Sequence, residues 1–197
     1  MRKDYEIILK LIPENSKVLD IGCSDGELIS YLENKGVSAQ GVELNQEKVI
    51  KCLEKGLDVI HGDINLIVED FPFNQFDYCL LTQTIQAVQK PDKLLNTLKK
   101  VSKNIIVSFN NSARLSKISN FLLSGSFDSL LKKADSDHWY NTDYIHPCSI
   151  KDFKKLAANL DLKIISTFDV INQRKFENGK IPSNLFCKEV LYHITDE

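Results

Sequence analysis

The sequence predicts one α/β domain over residues 1–197: a mostly parallel sheet with helices on both faces and an antiparallel C-terminal strand. Three observations predict it. Short apolar runs alternate with segments of helical period as far as Phe109, the pattern of repeated βαβ units. The 197 residues are 43% hydrophobic and 26% charged, enough apolar content to bury one sizeable core. The tail reads as helix, strand, polar loop and strand, an ending that adds an antiparallel hairpin to an otherwise parallel sheet.

The elements follow in order. Ile7, Ile8, Leu11 and Ile12 recur at helical spacing, so an amphipathic N-terminal helix is expected over about residues 2–12. Asp4, Glu6 and Lys10 interrupt this stretch and disqualify it as a signal peptide. Lys17–Ile21 is a strand feeding into Gly22, and Gly26–Lys35 is a helix stopped by Gly36. Val37–Glu43 reads as the second strand, with Asn45 as N-cap of a helix ending near Lys55–Gly56. Leu57–His61 is a third strand. After a Phe71–Pro72 loop, Phe76–Leu81 is the fourth. Pro91 suits the first turn of a helix carrying Leu94, Leu95, Leu98 and Val101, and Asn104–Phe109 is a buried strand. An insertion or lid is expected over about residues 111–146, a helix and then a loop over the sheet's carboxyl edge. Ser149 begins a helix through Phe153, Leu156 and Leu160, and Leu162–Val170 is a strand. A loop containing Asn178–Gly179 then leads to the last strand, Leu185–Ile194.

Composition excludes several functions. Lys and Arg number 25 against 27 Asp and Glu, a net charge of −2, so no broad basic surface for nucleic acid is expected. No apolar run approaches the ~20 residues of a membrane span. The five cysteines, Cys23, Cys52, Cys79, Cys148 and Cys187, are scattered and form no C-x-x-C pair. They read as packed core residues of a cytoplasmic protein, with no metal site.

The most informative stretch is Val18-Leu19-Asp20-Ile21-Gly22-Cys23-Ser24-Asp25-Gly26. It is a strand, a small-residue turn and a helix start, where glycine permits close backbone approach and the helix offers free N–H groups. A dinucleotide site wants G-x-G-x-x-G, but Ser24 and Glu27 occupy the second and third glycine positions. Asp20 and Asp25 would also repel a bare pyrophosphate. Glu43 ends the second strand roughly 20 residues after the turn, where an acid accepts hydrogen bonds from ribose hydroxyls.

The stretch resembles motif I of the class I S-adenosylmethionine-dependent methyltransferases, D/E-x-G-x-G-x-G, which have a Rossmann-like fold. Asp20, Gly22 and Gly26 match it, and Ser24 stands at the middle glycine. His61-Gly62-Asp63 is similar to the family's Gly-Asp beside the adenine, and Phe76-Asp77-Tyr78 opens the fourth strand as is common there. The resemblance implies S-adenosylmethionine, or its demethylated product S-adenosylhomocysteine, as ligand. Its candidate contacts are Asp20, Gly22, Ser24, Gly26, Glu43, Asp63 and Gln83. The loop Thr82-Gln83-Thr84-Ile85-Gln86 lacks an Asn/Asp-Pro-Pro-aromatic motif, and its glutamines orient but do not act as bases, so no catalytic residue is assigned. Gln86, His138, Trp139, Tyr140 and His146 are the candidates for facing a substrate or partner.

A narrower resemblance runs from about Val18 to Leu191. Gln83-Thr84-Ile85-Gln86-Ala87-Val88 through Leu95, with Val107-Ser108-Phe109 and Trp139-Tyr140-Asn141-Thr142, is similar to the bacterial methionine-biosynthesis family MetW. That resemblance implies a partnership with homoserine O-acyltransferase. Residues 110–115 and 143–144 depart from the family's pattern. Two functions follow from it: a subunit that binds S-adenosylmethionine and assists or regulates the acyltransferase, or an active small-molecule methyltransferase of unknown acceptor.

Overall fold

A computed structural model describes residues 1–127, 145–176 and 183–196. The described strands form a single sheet: β1 (Lys17–Ile21), β2 (Ser38–Glu43), β3 (Val59–His61), β4 (Phe76–Thr82), β5 (Ser102–Asn110), β6 (Lys163–Asp169), β7 (Arg174–Lys175) and β8 (Glu189–Thr195). Their spatial order is β3-β2-β1-β4-β5-β8-β6-β7. Neighbours from β3 through β5 all pair in parallel, whereas β8 is antiparallel to both β5 and β6. Chain order reverses beside β1, with β2 on one side and β4 on the other. Such a reversal opens a crevice at the strands' carboxyl ends.

The helices are α1 (Lys3–Leu11), α2 (Glu27–Asn34), α3 (Gln46–Glu54), α4 (Ile64–Ile67), α5 (Pro91–Val101), α6 (Leu115–Ser124), α7 (Ile150–Asn159) and the single turn α8 (Ser183–Phe186). Their starts obey local chemistry. Asn45 accepts hydrogen bonds from the N–H groups of Glu47 and Lys48, Pro91 opens α5, and Ser149 with Asp152 forms a reciprocal capping box on α7.

Strand residues divide by twos. Val18, Leu80, Ile106 and Leu191 pack with α1, α2 and Cys52 of α3 on one face. Leu19, Leu81, Val107 and Tyr192 pack with α4, α5 and α7 on the other. Both cores are apolar to the sheet, so the central strands have no wet side, as parallel sheets require. On the second face, rings of Phe109, Phe153 and Tyr192 lie 4.6–6.1 Å apart and lock β5, α7 and β8 together.

One expectation needs correction. The last strand begins at Glu189, because Leu185 and Phe186 belong to α8. Asn111 Nδ2 takes the carbonyls of Asn184 and Cys187, at 2.7 and 2.9 Å, which withdraws that segment from the ladder. The expected antiparallel ending is present, since β8 pairs antiparallel with β6, and β8 inserts between β5 and β6. Val190, Leu191, Tyr192 and Ile194 are fully buried, too apolar on both faces for an edge. Helix α4 and the 3-10 turn Val68–Asp70 were not anticipated between His61 and Phe71. Their apolar run is too short to display a helical period, and Asp63 caps it. The expected helix of the insertion is α6, while residues 128–144 lie outside the described residues. No described helix is long and apolar enough to cross a membrane.

Candidate functional site

The turn after β1 is built from conformations that only its particular residues tolerate. Gly22 has φ +74° and donates its N–H to Val42 O at 2.8 Å, binding the turn to β2. The space a Gly22 side chain would need is held by Thr84: an added Cβ would lie 2.7 Å from Thr84 Oγ1. Thr84 stays there because its hydroxyl bonds the carbonyls of Ile21 and Thr82, at 3.0 and 3.1 Å. Ser24, at the glycine position of the motif, nevertheless adopts φ +55°. Its N–H donates to Glu43 Oε2 at 2.9 Å, which holds the serine in a region that disfavours it. The substitution therefore keeps the shape of the glycine turn. Gly26 has φ +77° and is the N-cap of α2.

Glu43 ends β2 and is 8% exposed. Its Oε1 accepts from Asn45 N–H at 2.9 Å, so the carboxylate bridges the loops after β1 and β2. Each of its oxygens retains accepting capacity. Asp63, after β3, accepts from Asn65 N–H at 2.9 Å and from Asn65 Nδ2 at 2.6 Å. Between these residues lies a cleft of about 570 Å³, floored by Gly22, Ile21 and Val42, rimmed by Glu43, Asn45, Asp63 and Asn65, and walled by Ile64, Thr84, Ala87 and Val88. Apolar walls with a few placed acids are what a nucleoside-sized ligand requires.

Asp20 lies at the end of β1, 1% exposed, and its Oδ1 has no hydrogen-bond partner. Burial raises its pKa from 3.8 to about 7; Arg2 opposes the rise, and the negative charges of Asp4 and Glu43 add to it. An orphaned buried carboxylate next to a glycine turn fits the cationic amino-acid end of S-adenosylmethionine, and a glycine-floored cleft with an acid at the end of β2 fits its ribose. Sequence reading did not find the ion pair whose charges act on this position. Arg2 pairs with buried Asp4, Nε to Oδ1 at 3.1 Å and Nη2 to Oδ2 at 2.5 Å, and also bonds Tyr5 Oη at 3.2 Å. The one signal was an acid among the core-facing residues of α1.

The remaining candidates fall elsewhere. Gln83, at φ +59°, does not line this cleft; its Nε2 donates to Glu189 Oε1 at 2.7 Å and its Oε1 accepts from Asn110 Nδ2 at 2.8 Å. Gln86 is 1% exposed, so as placed it presents nothing to a partner. It is a strut instead: its carbonyl accepts from the N–H groups of Ile145 and His146, at 3.1 and 3.0 Å. His146 remains half-buried at the surface, its Nε2 3.2 Å from Gln89 O. His138, Trp139 and Tyr140 lie outside the described residues. Cys23 is buried, and burial pushes its thiol pKa up, with no cation to offset it. Among the described residues no group of His, Cys, Asp or Glu is placed to hold a metal ion.

A family model described as methionine biosynthesis protein MetW matches residues 2–194. The chain belongs to the MetW family. A MetW relative, the bifunctional methionine biosynthesis protein MetXA/MetW of Rhodopirellula baltica, is 32% identical over 170 residues, covering 82% of this chain and 27% of that protein. The chain thus spans about a quarter of the relative it matches. Among solved structures, an S-adenosylmethionine-dependent methyltransferase from Methanosarcina mazei has a TM-score of 0.70 at 15% identity, over 96% of each chain. A TehB-like S-adenosylmethionine-dependent methyltransferase from Corynebacterium glutamicum has a TM-score of 0.66 at 14% identity, over 100% of this chain and 89% of its own. At such identities the likeness shows the fold. This MetW-family chain has the Rossmann-like fold of those methyltransferases.

Proposed function

We propose that this MetW-family protein binds S-adenosylmethionine, or S-adenosylhomocysteine, and acts as a subunit that assists or regulates homoserine O-acyltransferase in methionine synthesis. The observation that carries the partnership is the Rhodopirellula relative, whose name joins MetXA and MetW in one chain. We take MetXA to be the acyltransferase. A fused pair has a high effective concentration, and unfused chains reach the same end by docking. Helix α6 supports docking: it buries none of its residues, and Leu122 and Leu123 are 76% and 87% exposed.

The cofactor reading rests on the cleft. Glu43 would accept the ribose hydroxyls, the adenine would lie near Asp63 between Ile64 and Val88, and Asp20 would take the ammonium. Bound S-adenosylmethionine supplies an activated methyl group and a sulfonium charge. It is made from methionine, so a subunit that binds it differently in two states can report pathway output to the acyltransferase. One observation favours the second reading, a working small-molecule methyltransferase: a carboxylate of raised pKa, Glu189, stands beside Gln83 at the end of β4.

The test has two parts. Calorimetry with S-adenosylmethionine, S-adenosylhomocysteine and NAD should show binding of the first two only. Co-purification with the homoserine acyltransferase of the same organism should yield a complex whose amount or activity responds to S-adenosylmethionine. Methylation of a small molecule from cell extract, with no acyltransferase association, would replace the subunit by an enzyme.

A further inference from the structure

The carboxyl ends of β4 and β5 and the start of β8 bring Gln83, Asn110 and Glu189 together. Antiparallel insertion of β8 makes this possible, since it starts where β5 ends and pairs Glu189 with Asn110. Gln83 sits between them, its amide nitrogen on Glu189 Oε1 and its amide oxygen accepting from Asn110. Those two bonds fix which way the amide points, and so hold the carboxylate. Glu189 Oε2 receives no hydrogen bond from the described residues.

Asp20 and Glu189 look onto the same face of the sheet. Asp20 is two residues beyond Val18, and Glu189 two before Leu191, and both reference residues belong to the core beneath α1. The two carboxylates also lie in the field of the same Arg2–Asp4 pair. Asp20, Asp4 and Glu189 therefore face one guanidinium, already committed to Asp4, with Lys188 as the other nearby cation. The buried Asp20 Oδ1 is unpartnered. Buried polar atoms are satisfied in finished sites. Carboxylates outnumber cations in this region, three to two, and the cationic end of S-adenosylmethionine would satisfy Asp20 but leave Glu189.

We propose that Glu189, held by Gln83 and Asn110, forms an acceptor subsite that takes the amino group of a small amine beside the transferable methyl group. The proposal rests on the cofactor reading above and deepens its enzymatic alternative. In the transfer, the nitrogen lone pair forms the bond to the methyl carbon. The carbon–sulfur bond breaks with its electrons passing to sulfur, and the proton shed by nitrogen goes to the Glu189 carboxylate. Burial and the nearby Asp4 hold the Glu189 pKa up at about 7, with Arg2 opposing, which suits a proton acceptor at neutral pH.

Sinefungin tests this without turnover, because it carries an amine where S-adenosylmethionine carries its methylsulfonium. Calorimetry at pH 7.5 should show sinefungin binding at least tenfold more tightly than S-adenosylhomocysteine. Glu189→Gln should bring that ratio to within about twofold of unity while leaving the affinity for S-adenosylhomocysteine unchanged. If Glu189→Gln no longer binds S-adenosylhomocysteine, Gln83→Leu, which frees the carboxylate from its holder, is read in the same way. Equal ratios in wild type and variant overturn the amine subsite. Failure of wild type to bind S-adenosylhomocysteine overturns the cofactor reading instead.

Discussion

Replacing Asp20 with asparagine should make the protein more stable and less able to bind its ligand. The group is buried, and its pKa rises from 3.8 to about 7 on folding. A carboxyl group with a raised folded pKa holds its proton in the native state after the unfolded chain has released it. Stability is thus fully present below pH 4, falls as pH rises from about 4 to 7, and is flat above. At 1.36 kcal/mol per pKa unit, burying this group costs about 4 kcal/mol at pH 8, where the folded protein ionises it, and about 1–2 kcal/mol at pH 5, where the folded protein keeps it protonated and the unfolded chain does not. Asn carries no charge and has nearly the same shape. For a domain of this size 1 kcal/mol moves Tm by about 2–4 °C. Allowing half of that cost for relaxation around the charge, Asp20→Asn should raise Tm by about 4–8 °C at pH 8 and by less than half as much at pH 5. The same change removes the charged acceptor for a ligand ammonium, worth about 1.5–3 kcal/mol, or a loss of roughly 10- to 150-fold in affinity for S-adenosylmethionine. Thermal melts across pH 5–8 and calorimetry read both effects. A Tm unchanged or lowered at pH 8, or an unchanged affinity, would refute the reasoning.

Three further outcomes are expected. Gly22→Val places a β-branched residue at φ +74° and its Cβ against Thr84, so it should lose S-adenosylmethionine binding in calorimetry and cost about 1–3 kcal/mol in urea unfolding. Cys23→Ala should bind ligand within a few fold of wild type, and peroxide should not affect binding, because burial keeps the thiol protonated; peroxide inhibition abolished by Cys23→Ala would contradict this. Leu122→Asp with Leu123→Asp should weaken acyltransferase association at least tenfold in a pull-down, while melts and ligand binding stay unchanged.

The turn after β1 was legible because its chemistry is local. Gly22, Gly26 and Glu43 declare themselves by residue type and spacing, and the parallel core by short apolar runs. Ser24 was misleading as a letter: it looks like a lost glycine, yet Glu43, 19 residues on, supplies the hydrogen bond that holds its positive φ. Long-range geometry was not legible. Nothing near Glu189 in the chain announces that β8 will insert beside β5 and deliver a carboxylate to Gln83, 106 residues earlier. Arg2 and Asp4 looked like a charged opening to an amphipathic helix, and only the fold brings their charges to bear on Asp20. Gln86 erred the other way: a polar residue in a ligand-edge loop proved to be an internal strut for the segment at Ile145–His146.

The central claim joins the cleft to a partner, and the rate of acyl transfer to homoserine measures both. Purified acyltransferase should be assayed alone, with this chain, and with this chain across a range of S-adenosylmethionine. The account predicts that adding the chain changes the rate, that S-adenosylmethionine shifts it again, and that Gly22→Val abolishes the second shift. An identical rate in every mixture, from proteins that each fold and bind their own ligands, would contradict it.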